Sequence, residues 1–239
     1  MLRSIKQLYG DALVASDANI GHVKDFYFDD HRWVVRYVVV DTGAWLTGRL
    51  VLISPHAFGN FHSYGDFLLV NLTKSQIQGS PAVDSHKPVS RQYEEEYYNY
   101  YGFPPYWQGD GLWGSSDYPV APLPIEEEKR AHGQRISRGD PHLRSAQALK
   151  GYHIQTEEGT IGHVSDLLID GESLAIRYLV VETGHWLWGK EIVITPKNID
   201  SISYEESKVF VKVTKQAIQE AAKYSAPRAE YNDARNFDD

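Results

Sequence analysis

An eight-residue stretch, DTGAWLTG at residues 41–48, returns as ETGHWLWG at residues 182–189, an offset of 141 positions (182 minus 41). At that offset Leu2–Gln78 aligns with Leu143–Gln219 without a gap, and about a third of the aligned pairs are identical, so a duplicated unit of about 80 residues sets the architecture before any local propensity is weighed. The repeat predicts a first unit over residues 1–80, an intervening segment over 81–141, a second unit over 142–226 and a disordered tail over 227–239.

Each copy reads as short strands broken by turn residues. In the first, ALVA, HVKDFYF, WVVRYVVV and RLVLI are separated by SDANIG, DDHR and DTGAWLTG, and a last hairpin around FHSY and FLLVNL closes the unit. The second keeps the punctuation in EEGTIG, DGES and ETGHWLWG. Strands of this size and spacing predict a mainly β protein made of two small antiparallel barrels or sandwiches. Gly21 and Gly162 are expected at the end of a tight turn with positive φ. After Thr214 the stretch TKQAIQEAAKYSAP predicts a helix capped by Thr214, whereas its counterpart TKSQIQ is cut short by Gly79 and Pro81.

The strand Trp33–Val40 is apolar on both faces, so something must pack outside the sheet as well as inside it. Arg36 sits within this strand and is echoed by Arg177. A buried guanidinium without a carboxylate is costly, and Asp25 and Asp29, echoed by Asp166 and Asp170, lie on the preceding strand as its expected structural partners. The competing reading makes these charges a ligand or catalytic site. Gly43, Trp45 and Gly48, with their counterparts Gly184, Trp186 and Gly189, are expected to form a tight loop joining two strands, the indole burying its ring against the adjoining core. A phosphate cradle is the alternative, but the glycines are few and no Lys follows in a strand-to-helix context.

Between the copies, PVSRQYEEEYYNYYGFPPYWQGDGLWGSSDYPVAPLP has the most unusual composition in the chain. Ser90 is a helix N-cap, Gly102 and Pro104 mark its end, and Glu94–Glu96 fall in early turns where carboxylates suit the dipole. Tyr93, Tyr97, Tyr100 and Tyr101 recur at helical spacing and predict one aromatic face. Either this face covers the outer surface of one barrel, or it joins Phe103, Tyr106, Trp107 and Trp113 in meeting another subunit or a partner protein. From Ser115 onward the segment reads as linker.

Composition removes several function classes. The absence of cysteine excludes disulfides, thiolate chemistry and sulfur-ligated zinc. A formal net charge of −8 with no basic cluster argues against nucleic acid and against docking on anionic lipid. The amino-terminal stretch has no apolar core of a secretory signal, and WVVRYVVV is too short to span a bilayer, so a cytoplasmic location without membrane insertion is expected. No nucleophile, phosphate-loop or HExxH pattern is present. His22 and His163 are equivalent, each three residues before an Asp. On a strand that spacing points side chains to opposite faces, which favours a hydrogen-bonding role near a turn over metal binding. His185 is unmatched by Ala44, and His56 by Lys197. No catalytic residue, cofactor or metal is therefore expected.

IGHVKDFYFD with IGHVSDLLID, RYVVVDTG with RYLVVETG, and RLVLISP with EIVITP together resemble the PRC-barrel family, over nearly the whole of both repeats. The family includes the cytoplasmic part of the photosynthetic reaction-centre H subunit and the carboxy-terminal domain of a bacterial ribosome-maturation factor, where the barrel docks proteins and is not an enzyme. The resemblance implies two PRC-type barrels, a short helix after the second, and a role in protein binding, with homo-oligomers as one form that binding can take. The alternative it implies is an accessory of a membrane photosynthetic or electron-transfer complex.

Overall fold

The computed structural model describes residues 1–46, 48–58, 61, 67–82, 89–120, 143–184 and 189–221. The elements follow the repeat. The first copy supplies β1 (Leu2–Ser4), α1 (Ile5–Leu8), β2 (Ala12–Val14), β3 (Asn19–Asp29), β4 (Val34–Asp41), β5 (Leu50–Ile53), β6 (Phe67–Leu69) and α2 (Lys74–Gln78). The intervening segment supplies α3 (Arg91–Tyr101). The second copy supplies β7 (Leu143–Ser145), α4 (Ala146–Leu149), β8 (His153–Thr156), β9 (Gly159–Asp170), β10 (Ile176–Thr183), β11 (Glu191–Ile194), β12 (Ile199–Ser203), β13 (Lys208–Val211) and α5 (Lys215–Ala221). The helix ends obey the capping chemistry: the Gln76 N–H donates to Thr73 Oγ1, the Tyr93 N–H to Ser90 Oγ at 3.2 Å, and the Ala217 N–H to Thr214 Oγ1. Gly102 closes α3 in the left-handed conformation at φ 68°.

Two compact units emerge, and they do not coincide with the repeat boundaries. One contains Met1–Ala148 together with Leu168–Arg177, and the other Leu149–Leu167 with Tyr178–Asp239. The segment expected as a separate stretch over 81–141 thus belongs, in its described part, to the first unit. That unit also holds an exchange of short strands. β7, from the second copy, pairs with β3 at Tyr27–Asp29, and β1, from the first copy, pairs with the Leu168–Asp170 end of β9.

Within the first unit the strand order is β5-β4-β3-β2-β6, with β7 on β3. The other sheet orders its strands β11-β10-β9-β8-β13-β12, with β1 on β9. Among the described residues β2 with β6 and β13 with β8 run parallel, so each copy is less uniformly antiparallel than the strand pattern predicts. Part of the hairpin expected around FHSY, the end of the linker, the loop holding His185 and Trp186, and the tail lie outside the described residues.

Gly21 and Gly162 lie inside β3 and β9, and their role is close approach between backbones. A Cβ on Gly21 (φ +152°) would stand 2.0 Å from the Asp41 carbonyl oxygen, and one on Gly162 would stand 2.1 Å from that of Glu182. Since only glycine tolerates backbone at that distance, Gly21→Ala and Gly162→Ala are each expected to cost more than about 2 kcal/mol. Urea-denaturation midpoints would check this, and a midpoint within error of the parent chain would contradict it.

Seven of the eight residues of β4 are buried, as a strand covered on both faces requires. Its register explains how. Tyr37 pairs with Tyr27 and Val35 with Phe28, leaving Arg36 as an extra residue opposite none. Such a bulge breaks the alternation of side chains and re-aims one of them. Arg36 and Tyr37, neighbours that strict alternation would send to opposite faces, both meet the aromatic segment that follows the first copy.

Candidate interaction surface

Tyr37 on β4 packs against α3, and its neighbours Val39 and Leu52 are, like it, at most 2% exposed. The buried stripe of α3 is Glu94, Tyr97 and Tyr98, at spacing i, i+3 and i+4. Tyr37 meets the rings of Tyr97 and Tyr98 edge-on at 5.4 and 6.5 Å. The Tyr97 hydroxyl accepts from the Ser54 N–H at 2.9 Å. Phe103 stacks on the His56 ring at 5.4 Å, and Trp113 stands edge-on to that ring at 5.0 Å.

Two charges are sealed beneath this cover. The Glu94 carboxylate accepts from the Tyr106 hydroxyl at 2.6 Å and from the Tyr37 hydroxyl at 3.2 Å, and Arg91 Nη1 lies 2.9 Å from its other oxygen. Arg36, fully buried, donates to Asp29 at 3.2 Å and to the Leu112 carbonyl at 2.6 Å. The guanidinium faces the rings of Tyr106 at 3.9 Å and Trp113 at 4.8 Å. A planar, weakly hydrated cation suits a site walled by π-faces and closed by one carboxylate. Trp113 is pinned in turn by its indole N–H, which donates to the Ser173 carbonyl at 2.8 Å.

The ion-pair expectation therefore splits. Asp29 does pair with Arg36: burial pushes its carboxyl up, but the guanidinium and the Arg32 and His31 N–H groups outweigh this and hold it below the usual value. Asp25 does not. It accepts from the Ser145 hydroxyl and the Gln147 N–H, anchoring the start of α4, and burial raises its pKa. Arg177 is exposed, so the echo of Arg36 is not a buried cation. Asp170 serves its own turn, accepting from the Glu172 and Ser173 N–H groups, as Asp29 does from His31 and Arg32. Asp166 accepts from the Leu167 N–H at 2.8 Å.

The aromatic face also differs from its periodicity. Tyr97 is fully buried, Tyr93 and Tyr101 are half-buried, and Tyr100 is 45% exposed, its hydroxyl donating to the Gln76 carbonyl at 2.8 Å. Glu94 and Tyr98 fill the places that Tyr93 and Tyr100 were expected to take. Phe103, Tyr106 and Trp113 are buried, and Trp107 is half-buried under the Arg91 guanidinium at 4.4 Å. The described rings pack within the chain.

At the repeated turn, Gly43 and Gly48 take φ of 59° and 71°, and Gly189 of 66°. The Gly48 N–H donates to the Gly43 carbonyl and the Gly189 N–H to that of Gly184. Trp45 is only half-buried: its indole donates to the Ile20 carbonyl at 2.6 Å and Lys74 lies 4.5 Å over its ring. A shallow depression of about 240 Å³ lies there, edged by Ile20, His22, Asp41 and Trp45. His22 is exposed and faces Asp41 across the strands, and its counterpart His163 lies 3.6 Å from Glu182.

Asp29, Asp30 and His31 bring three ligand-type atoms within 4.8 Å of one another, a grouping the sequence reading missed. Cations already hold both carboxylates: Arg36 lies on Asp29, and Arg144 lies on Asp30 at 2.8 Å.

The PRC-barrel domain family model matches residues 2–77 and again 142–218. The chain belongs to the PRC-barrel domain family. No curated protein matches it. Tandem PRC-barrel copies fit a non-catalytic module, and among the described residues no helix is long and apolar enough to cross a membrane. What this PRC-barrel protein adds to the repeat is the segment laid over β4 and β5 of its first copy.

His56 marks how dry that covered face is. It is 1% exposed, its Nδ1 lies 3.1 Å from Ser54 Oγ, and burial, helped by the Arg36 charge, lowers its pKa to about 4. The native ring is neutral, whereas in the unfolded chain it titrates near its ordinary 6.5. As pH falls, the unfolded state takes up the proton first. Stability is therefore full above about 6.5 and declines between there and about 4, by about 3 kcal/mol in all. Urea midpoints measured from pH 7.5 to 4.5 should fall more steeply for the parent chain than for His56→Phe. Parallel profiles would remove His56 as the cause.

Proposed function

We propose that this chain is a non-catalytic docking module in which the outer faces of PRC-barrel strands receive helices, linking the chain to a partner protein. One observation carries this: α3 is seated on β4 and β5 through a buried carboxylate and interlocked rings, which is the anatomy of an interface core, with aromatics and Arg at its centre. The experiment is purification of the tagged full-length chain from soluble and membrane fractions of its own cells. Recovery of a stoichiometric protein partner from the soluble fraction is the expected result, and its absence from both fractions sinks the proposal.

A second reading rests on the histidine that each copy sets near a carboxylate, His22 opposite Asp41 in the strand register and His163 at 3.6 Å from Glu182. An imidazole beside a carboxylate suits an accessory that modulates proton transfer in a membrane electron-transfer complex. Recovery of the partner only with such a complex, from the membrane fraction, would favour it.

A further inference from the structure

Tyr106 lies in the chain behind α3, 2% exposed, and its hydroxyl donates to Glu94 Oε1 at 2.6 Å. A phenol that close to a carboxylate sealed from water makes a short, charge-assisted bond, and its proton has an acceptor within transfer reach. Arg91 Nη1 stands on the far side, 2.9 Å from Glu94 Oε2 and 3.5 Å from the Tyr106 oxygen, to which it donates. Burial, and then the Glu94 charge, push the Tyr106 hydroxyl pKa well up. The ring therefore does not ionise near neutral pH. Its proton leaves readily only when an electron goes too, because an oxidised phenol is a strong acid.

The neighbouring rings give that electron a way out. Trp107, half-buried, stands edge-on to Tyr106 with ring centroids 5.0 Å apart. The Arg91 guanidinium lies 4.4 Å over the indole, and that of Arg36 lies 3.9 Å over the Tyr106 ring. Neither ring holds a positive charge well beside these cations. An indole radical cation at Trp107 draws an electron from its neighbour, and Tyr106 can supply one and stay uncharged only by releasing its proton to Glu94. Tyr98 lies as near to Trp107, also at 5.0 Å, but its hydroxyl faces Ser54 Oγ at 3.4 Å, which is no base. Tyr37 reaches the carboxylate only at 3.2 Å. Tyr106 is the ring that has both an electron exit and a close proton acceptor.

We infer that Tyr106 is a redox-active tyrosine: a one-electron oxidant of the high-potential metal-complex class takes an electron at Trp107, Tyr106 replaces it, and the hydroxyl proton passes to Glu94. The oxidant leaves reduced by one electron and the indole is restored. The Tyr106 O–H bond is broken, an O–H bond is formed on Glu94 Oε1, and a neutral phenoxyl remains. A one-electron reductant reverses the sequence, Glu94 returning the proton. The cover over β4 thus stores an oxidising equivalent away from water, a role that goes beyond docking and does not depend on it.

The test uses the full-length chain with tris(bipyridine)ruthenium(III), generated by a laser flash in the presence of an electron-accepting quencher. Transient absorption follows the indole radical and the phenoxyl, and EPR of frozen samples identifies the latter. A phenoxyl that far outlives the one formed from free tyrosine is expected. Tyr106→Phe should remove it, leaving only short-lived signals from exposed rings such as Tyr118, 52% exposed. Trp107→Phe, at a half-buried position, should remove the indole step and most of the yield. Glu94→Gln keeps a hydrogen-bond acceptor that takes up no proton, and should leave the indole radical standing while phenoxyl formation slows about a hundredfold. Where that variant fails to fold by near-ultraviolet circular dichroism, the parent chain decides, since its phenoxyl should form more slowly in heavy water. Absence of a long-lived phenoxyl, its survival in Tyr106→Phe, formation at the parent rate in a folded Glu94→Gln chain, or equal rates in light and heavy water would each overturn the inference. None of these readouts involves a partner protein, so its failure leaves the docking function standing.

Discussion

Arg36→Ala should lower the stability of the chain by about 3–5 kcal/mol, whereas Arg177→Ala, the same substitution at the equivalent position of the second copy, should leave it within about 0.5 kcal/mol. The asymmetry follows from what surrounds each guanidinium. Removing the Arg36 side chain strands the Asp29 carboxylate, 7% exposed, without its counter-charge, and leaves the Leu112 carbonyl without its donor. It also opens a void between the Tyr106 and Trp113 rings. Arg177 is exposed, and water replaces it. Arg36→Lys should fall close to the alanine variant, because an ammonium is a point donor that cannot reach Asp29 and the Leu112 carbonyl while lying flat between two rings. Adding Asp29→Asn to Arg36→Ala should recover part of the loss, since the stranded charge is then gone. Urea denaturation at pH 7 measures all four. Equal losses at the two arginines would mean that the Arg36 site is wet and that the cover over it opens readily.

That asymmetry also shows where reading the sequence succeeds and where it stops. The duplication, the strands, the both-sides burial of β4 and the ends of α3 at Ser90 and Gly102 are local or periodic signals, and periodicity and capping report them directly. The burial of Arg36 was legible too, because a charge inside an apolar strand needs a partner. Extending it to Arg177 was an error of symmetry. Identity between the copies carries over the strand but not the segment that covers it. Glu94 was misread for a related reason: a carboxylate in the first turn of a helix has a sufficient local explanation in the dipole, and its two tyrosine hydroxyl donors come from β4 and from Tyr106. Asp25 was assigned to Arg36 because both lie on neighbouring strands, but Asp25 stands opposite Val39 and its carboxylate is taken by the Ser145 hydroxyl and the Gln147 N–H. The strand exchange was illegible in principle. Leu2-Arg3-Ser4 and Leu143-Arg144-Ser145 are the same tripeptide, so pairing each with the long strand of the other copy preserves every local preference.

The largest effect is expected from removing the cover itself. Tyr97, Tyr98, Phe103, Tyr106 and Trp113 are each at most 5% exposed. At about 1.5–3 kcal/mol per buried ring, their burial contributes on the order of 10 kcal/mol before the entropy of ordering the segment is counted. Replacing residues 90–114 by a Gly/Ser linker of equal length forfeits this and bares Tyr37, Val39 and Leu52 together with the Arg36–Asp29 pair. The charged pair gains water, which softens its loss. The apolar strands gain none, and a bared face with this composition finds another copy to cover it. The deleted chain is therefore expected either to unfold its first unit at neutral pH or to run at a multiple of its own mass in light scattering, and in both cases to bind a hydrophobic dye that the parent chain does not. A deleted chain of unchanged association state, folded and silent to the dye, would show that something other than these rings keeps the outer side of β4 dry.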